Sequence, residues 1–117
     1  MKNRTILQGE VYICDLDGID SEQLGQKTVV IIQINLLNKT SPNVIIIPIT
    51  SKKKKELPTH MTLTKEQYPF FRYDKNTVSC ESIRTISKRR LGKLIGRIND
   101  KDLNEILRIK EYAYYYK

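Results

Sequence analysis

The amino-acid sequence predicts a mainly β protein of α+β character: a small, strongly bent antiparallel sheet or barrel of about five to seven strands, followed by a C-terminal helix. Three observations carry this. Apolar side chains either alternate with polar ones or gather into runs of a few residues, the spacing of strands rather than helices. These segments are separated by clusters of Gly, Pro, Asn, Asp and Ser, which favour turns. Only the tail from residue 99 onward shifts to helical spacing.

The first segment, GEVYICDL (9–16), puts Val11 and Ile13 on one side and reads as a half-buried strand. The Asp-, Gly- and Ser-rich stretch that follows reads as a long loop. TVVIIQI (28–34) and VIIIPIT (44–50) are β-branched apolar runs, and the turn residues NKTSPN (38–43) between them predict a β-hairpin. THMTL (59–63) reads as a further strand, and KEQYPFFRYDKN (65–76), interrupted by Pro69, as a loop. TVSCESIRTI (77–86) alternates again, with Val78, Cys80, Ser82 and Arg84 on one side and Ser79, Glu81, Ile83 and Thr85 on the other. SKRRLGKLIGRI (87–98) reads as a tight turn running into a last strand. In the tail Leu103, Ile106, Leu107, Lys110 and Tyr114 follow helical spacing, with Asn99 or Asp100 as the N-cap.

A chain of 117 residues is long enough for one hydrophobic core, so 1–117 is read as a single domain without internal repeat or linker. Lys and Arg number 21 against 13 Asp and Glu, and the resulting formal charge of +8 favours polyanions, either nucleic acid or an acidic protein segment. Cys14 and Cys80 are far apart, with no CxxC spacing and no histidine cluster, which points away from a zinc site or a disulfide framework and toward reduced thiols. No stretch approaches the roughly 20 apolar residues of a bilayer-spanning helix, and the N-terminus lacks a signal core. The expected location is the cytoplasm, with no membrane partner.

No Gly-rich phosphate loop, metal-ligand spacing or nucleophile elbow appears, so neither a metal nor any other cofactor is expected. The sole histidine, His60, cannot form a triad alone and reads as a strand residue satisfied by a neighbour. What remains is a polar set at strand ends. If 28–34 and 44–50 pair, Lys27 at the entry of one strand and Thr50-Ser51 at the exit of the other share one open end. An ammonium and two hydroxyls converging there suit a phosphate group; the alternative is a turn beside a solvated lysine. The same two readings apply to Lys52–Lys55 and to KRR (88–90), as phosphate contacts or exposed turns. Tyr68, Phe70, Phe71 and Tyr73 either stack on bases or pack the protein, and Tyr112 with Tyr114–Tyr116 read as helix packing.

Taken in order, GEVY, SEQ-x-G, VVIIQ, TSPNVI, ITS at a strand exit, LPTH and E-x-IRTI-x-K-RL resemble the MazF/PemK family of toxin endoribonucleases from bacterial toxin–antitoxin pairs. The resemblance runs from about Gly9 to Ile98 and on into the terminal helix. It implies an SH3-like β-barrel, usually a homodimer, that cuts single-stranded RNA without a metal. The ribose 2′-hydroxyl attacks the adjacent phosphorus and leaves a cyclic phosphate and a 5′-hydroxyl. A cognate acidic antitoxin would neutralise it by filling the same groove.

By the same resemblance, Thr50 and Ser51 match the family's catalytic threonine and the serine beside it. Lys27 stands where the family has arginine, and Thr28 where it has proline. Lysine keeps the charge and can donate a proton, with an unperturbed pKa of about 10.4, but lacks the planar bidentate fork. Implied RNA contacts are Glu22 and Gln23 in the loop, Lys52 and Lys53 along the backbone, and His60, Glu81, Ser82 and Arg84. The family commonly has glutamine at the position of Ser82, so base preference does not carry over. The alternative on the same scaffold is a non-catalytic nucleic-acid-binding toxin, or one that poisons a topoisomerase as the CcdB toxins do. A ribosomal small barrel fits the charge but not the ITS and SEQ blocks.

Overall fold

The computed structural model describes residues 5–15, 26–52 and 55–115. Among them one antiparallel sheet contains β1 (Glu10–Asp15), β2 (Gln26–Ile31), β3 (Asn43–Thr50), β4 (His60–Thr64), β5 (Lys75–Ser79), β6 (Arg84–Ser87) and β7 (Leu91–Arg97). A short helix, α1 (Asn35–Thr40), joins β2 to β3, and α2 (Asp100–Tyr115) follows β7. The order across the sheet is β4-β5-β3-β2-β1-β7, with β6 paired to β3. This is the predicted class.

Apolar runs replace alternation in β2 and β3 because both faces of these strands are buried. Val30, Ile47 and Ile49 pack with Val78, Leu63 and the α2 residues Leu103, Ile106 and Ile109. Val29, Ile31, Val44 and Ile46 face the other way, onto Tyr12, Cys14, Ile86 and Leu91. A single 3-10 turn, Lys88–Arg90, carries the chain from β6 to β7, and residues of β1, β2, β3, β6 and β7 meet in this second cluster, inside an open, barrel-like sheet. Each fully buried Val or Ile contributes about 1.5–3 kcal/mol, so neither face is dispensable.

Three expectations need correction. β1 is not half-buried: Val11 on one face and Tyr12 and Cys14 on the other are all at most 1% exposed, because the sheet is covered on both sides. The connection from β2 to β3 is not a simple turn at 38–43 but carries α1 from Asn35 to Thr40, held by Asn38, whose side-chain Nδ2 donates to the Gln33 carbonyl at 2.8 Å and whose Oδ1 accepts from Gln33 Nε2 at 2.9 Å. The run 77–86 is two strands rather than one. β5 pairs Val78 with Ile49, whereas β6 pairs Arg84 with Ile46, where an unbroken register would place residue 81. Three residues are therefore looped out. An odd number of extra residues reverses the side-chain alternation, so Arg84 lies on the face opposite Val78, not on the same one.

The tail is helical as predicted. Asn99 caps α2 by accepting the Asp102 amide on Oδ1 at 2.7 Å, and Asp100 and Asp102 place negative charge at the positive end of the helix dipole. Its buried stripe is Leu103, Ile106 and Ile109 with Leu107 at the margin; the side chains of Tyr114–Tyr116 lie outside the described residues. Tyr68 and Phe71 are buried in the core and Phe70 packs against it, whereas Tyr73 is 51% exposed. Tyr68 is anchored through its hydroxyl, which donates to Asp102 Oδ2 at 2.5 Å and accepts the Asn99 amide at 3.1 Å. Cys14 and Cys80 are both free thiols. Among the described residues no helix is long and apolar enough to cross a membrane.

Candidate nucleic-acid interface

The strand registers build a polar row across one end of the sheet. Cys14 pairs with Lys27, Thr50 with Thr77, and Thr77 with Thr62. The β2–β3 register pairs Thr28 with Ile49, and one further step sets Lys27 across from Thr50. Directly opposed residues share a face. The row therefore continues the face that further along carries Val29, Ile31 and Ile46, where the apolar filling of the barrel gives way to an ammonium and hydroxyls. Lys27, Thr50 and Thr77 are half-buried, and Thr62, Ser51 and Lys52 are exposed. Thr50 Oγ1 accepts the Lys52 amide at 3.1 Å, which pins the threonine rotamer and leaves the hydroxyl hydrogen to donate elsewhere.

Arginines approach the same row. The looped-out residues turn Arg84 onto its face. Burial pushes the Cys14 thiol up to about 11, while the Arg90 and Arg84 guanidinium groups pull against that shift, so both lie within electrostatic reach of Cys14, the cross-strand neighbour of Lys27. Arg90 also donates from Nη1 to the Asp15 carbonyl at 3.2 Å and, with Asp15, Ser87 and Arg89, lines a hollow of about 520 Å³. On the other flank a groove of about 550 Å³ is lined by Ser51, Lys52, His60, Thr62, Lys75 and Thr77. Phosphates are held by such cations and hydroxyls, and the groove is wide enough for more than one group.

At the far wall of the groove, His60 Nε2 lies 3.3 Å from Glu81 Oε2, and Thr59 Oγ1 donates to Glu81 Oε1 at 2.6 Å. Burial alone would raise the Glu81 pKa. Hydrogen bonds from Thr59, its own backbone amide and His60 outweigh burial and hold the carboxyl below its ordinary value. Ser82 is half-buried, and its amide closes the turn onto the Ser79 carbonyl at 2.9 Å.

The structure thus brings Lys27, Thr50 and Ser51 together with Lys52, and sets His60 at the groove wall with Glu81 behind it. Glu22, Gln23 and Lys53 lie outside the described residues. Sequence reasoning missed Thr62, Thr77 and Lys75. Their signal was present in the alternation of HMTLT and KNTV, but placing them beside Thr50 needed the β3–β5–β4 pairing. Among the described residues no group of three or more His, Cys, Asp or Glu is placed to hold a metal ion.

A curved antiparallel sheet that gathers lysine, arginine and hydroxyl groups at one end, beside an open groove, defines a small β protein with a cationic, hydrogen-bond-donating surface. Its residues 7–109 match the family described as PemK-like, MazF-like toxin of type II toxin–antitoxin systems, and the chain belongs to that family. It is 40% identical over 102 residues to Endoribonuclease MazF of Staphylococcus saprophyticus, covering 85% of this chain and 82% of that protein. An endoribonuclease from a mycobacterial species, solved in complex with its cognate antitoxin, superposes with a TM-score of 0.77 at 23% identity over 96% of this chain and 97% of that one. A chain of a MazE-MazF crystal structure from Deinococcus radiodurans gives 0.75 at 14% identity, over 98% and 100%. At those identities the structural likeness speaks to the fold.

Proposed function

We propose that this protein is an endoribonuclease toxin that cuts single-stranded RNA, including mRNA, and is held inactive by a cognate acidic antitoxin. The 2′-oxygen bonds to phosphorus as the bond from phosphorus to the 5′-oxygen breaks, leaving a cyclic phosphate and a 5′-hydroxyl. The 2′-hydroxyl proton passes to a base, and the Lys27 ammonium gives a proton to the departing 5′-oxygen. Thr50 donates its hydroxyl hydrogen to a phosphoryl oxygen, and Ser51 lies beside it. Arg84 and Lys52 hold neighbouring phosphates by charge. No metal is required by this scheme, because cations of the chain itself supply the positive charge.

The observation that carries the reading is the cross-strand placement of Lys27 and Thr50. The relative named an endoribonuclease supports the activity, and the complex with a cognate antitoxin supports the partner. The working unit is a homodimer, and the excess of positive charge suits an acidic segment lying in the groove. Incubating the purified protein with mixed-sequence RNA in chelator tests the proposal. Fragments with 5′-hydroxyl ends are expected, and Thr50→Ala suppresses them; salt-sensitive binding without cleavage contradicts it. That second outcome would favour the non-catalytic reading, for which lysine in place of the family's arginine at position 27 is the motive.

A further inference from the structure

The three residues looped out between β5 and β6 put Glu81 where it faces its own chain. The Cys80 amide donates to the Thr59 carbonyl at 3.0 Å, which ties this turn to the residue before His60. Both Glu81 oxygens are then occupied, Oε1 by the Thr59 hydroxyl at 2.6 Å and Oε2 by His60 Nε2 at 3.3 Å. A carboxylate only accepts hydrogen bonds, so the shared hydrogen sits on Nε2, and Nδ1 is the ring nitrogen that Glu81 leaves open, an acceptor when the ring carries that one hydrogen. The His60 side chain is only 6% exposed, against 35% for Glu81, and yet it lines the groove beside Thr62 and Thr77. A ring so enclosed offers the groove a small and fixed part of itself.

We infer that Glu81 is a positioning residue for His60, and that His60 Nδ1, not the Glu81 carboxylate, reads an N–H edge of a nucleobase in this groove. The inference rests on the proposed RNA function of the same site. Glu81 already accepts from Thr59, His60 and its own backbone amide, so to read a base itself it would have to use the remaining lone pair of an oxygen that these contacts hold in place. For His60 to read one, both Glu81 contacts can stay in place. A buried acceptor left unpaired by a base lacking the N–H discriminates more strongly than lost apolar contact does.

Cleavage-site profiles on a long mixed-sequence transcript test this with the parent, Glu81→Ala, His60→Ala, the double variant and Glu81→Gln. Both alanine variants should lose discrimination at the same nucleotide by about tenfold or more, and the double variant no more than His60→Ala. Glu81→Gln, which keeps an acceptor, should restore part of it. A purely structural role lowers cleavage at all sites and leaves the profile unchanged, which would overturn the inference. So would Glu81→Ala altering the profile further in the His60→Ala background. Because His60 is the sole histidine, nitrogen-15 NMR of the untagged protein reads its tautomer directly. A neutral ring with hydrogen on Nε2 in the parent, and mixed tautomers in Glu81→Ala, is expected; hydrogen on Nδ1 in the parent overturns the inference whether or not RNA is cut. A parent that cuts no RNA counts against the proposed function, and the tautomer still decides the role of Glu81.

Discussion

Lys27 and Thr50 are cross-strand neighbours, one register step beyond the Thr28–Ile49 pair and on the same face of the sheet. The pairing is a consequence of two buried strands whose registers are fixed by apolar side chains on both faces, so a slip of one residue would turn Val29 and Ile46 out of the barrel. Lys27 and Thr50 are thus held at the ends of two strands buried on both faces.

Thr50→Val keeps the volume and removes the hydroxyl. Loss of one donor to a developing oxyanion lowers the cleavage rate by about 10²–10³-fold, with thermal stability near that of the parent. Thr50→Ser restores most of the rate. Single-turnover cleavage of a short RNA, alongside a thermal melt, checks both.

Lys52 is exposed at the groove and Arg84 lies on the inner face near Cys14. Lys52→Ala should weaken RNA binding evenly across sequences and reduce the slope of log affinity against log salt by about 0.7, one phosphate contact on a single strand. Arg84→Ala should weaken binding more, since a guanidinium hydrogen-bonded to phosphate contributes about 1.5–3 kcal/mol. Titrations at several salt concentrations measure both; unchanged slopes would remove these residues from the RNA path.

Gly96 in β7 has no room for a side chain. A Cβ there would run into the Phe70 ring. Gly96→Ala should destabilise the fold by about 1–3 kcal/mol through overpacking, and adding Phe70→Ala should cost less in that background than in the parent. Denaturant melts of the four proteins give the coupling directly.

Burial raises the thiol pKa of Cys14 to about 11 and of Cys80 to about 12, from about 9 when unfolded. Below about pH 9 both states keep the protons and stability is unaffected. Between about 9 and 11 the unfolded chain loses protons that the folded chain retains, so stability falls with rising pH. Melts from pH 8 to 11 should show this decline, reduced in Cys14→Ala relative to its own value at pH 8, and alkylation of the native protein at pH 8 should be slow.

The strands and the terminal helix were legible because their apolar spacing is unambiguous, and pairing the two β-branched runs sets Lys27 near Thr50 from the sequence alone. The break between β5 and β6 was not: Cys80 to Ile83 continue the alternation, with no Gly or Pro to mark the looped-out residues. That hidden odd insertion is what puts Arg84 on the face that carries Lys27 and Thr50 and turns Glu81 back onto Thr59 and His60. α1 was missed because Asn38, Thr40 and Ser41 are turn formers, and the helix is secured by the Gln33–Asn38 hydrogen bonds rather than by propensity. Thr62, Thr77 and Lys75 reach the groove only through long-range pairing of β4 and β5.

The central claim is that Lys27 and Thr50 act on one phosphate. A double-mutant cycle of Lys27→Ala and Thr50→Ala, read as single-turnover cleavage to 5′-hydroxyl ends in chelator, tests it most directly. Cooperation at one linkage predicts that the double variant is slowed far less than the product of the single effects, with a coupling above about 1 kcal/mol. Strictly multiplicative effects, or a Lys27→Ala variant as fast as the parent, would contradict it.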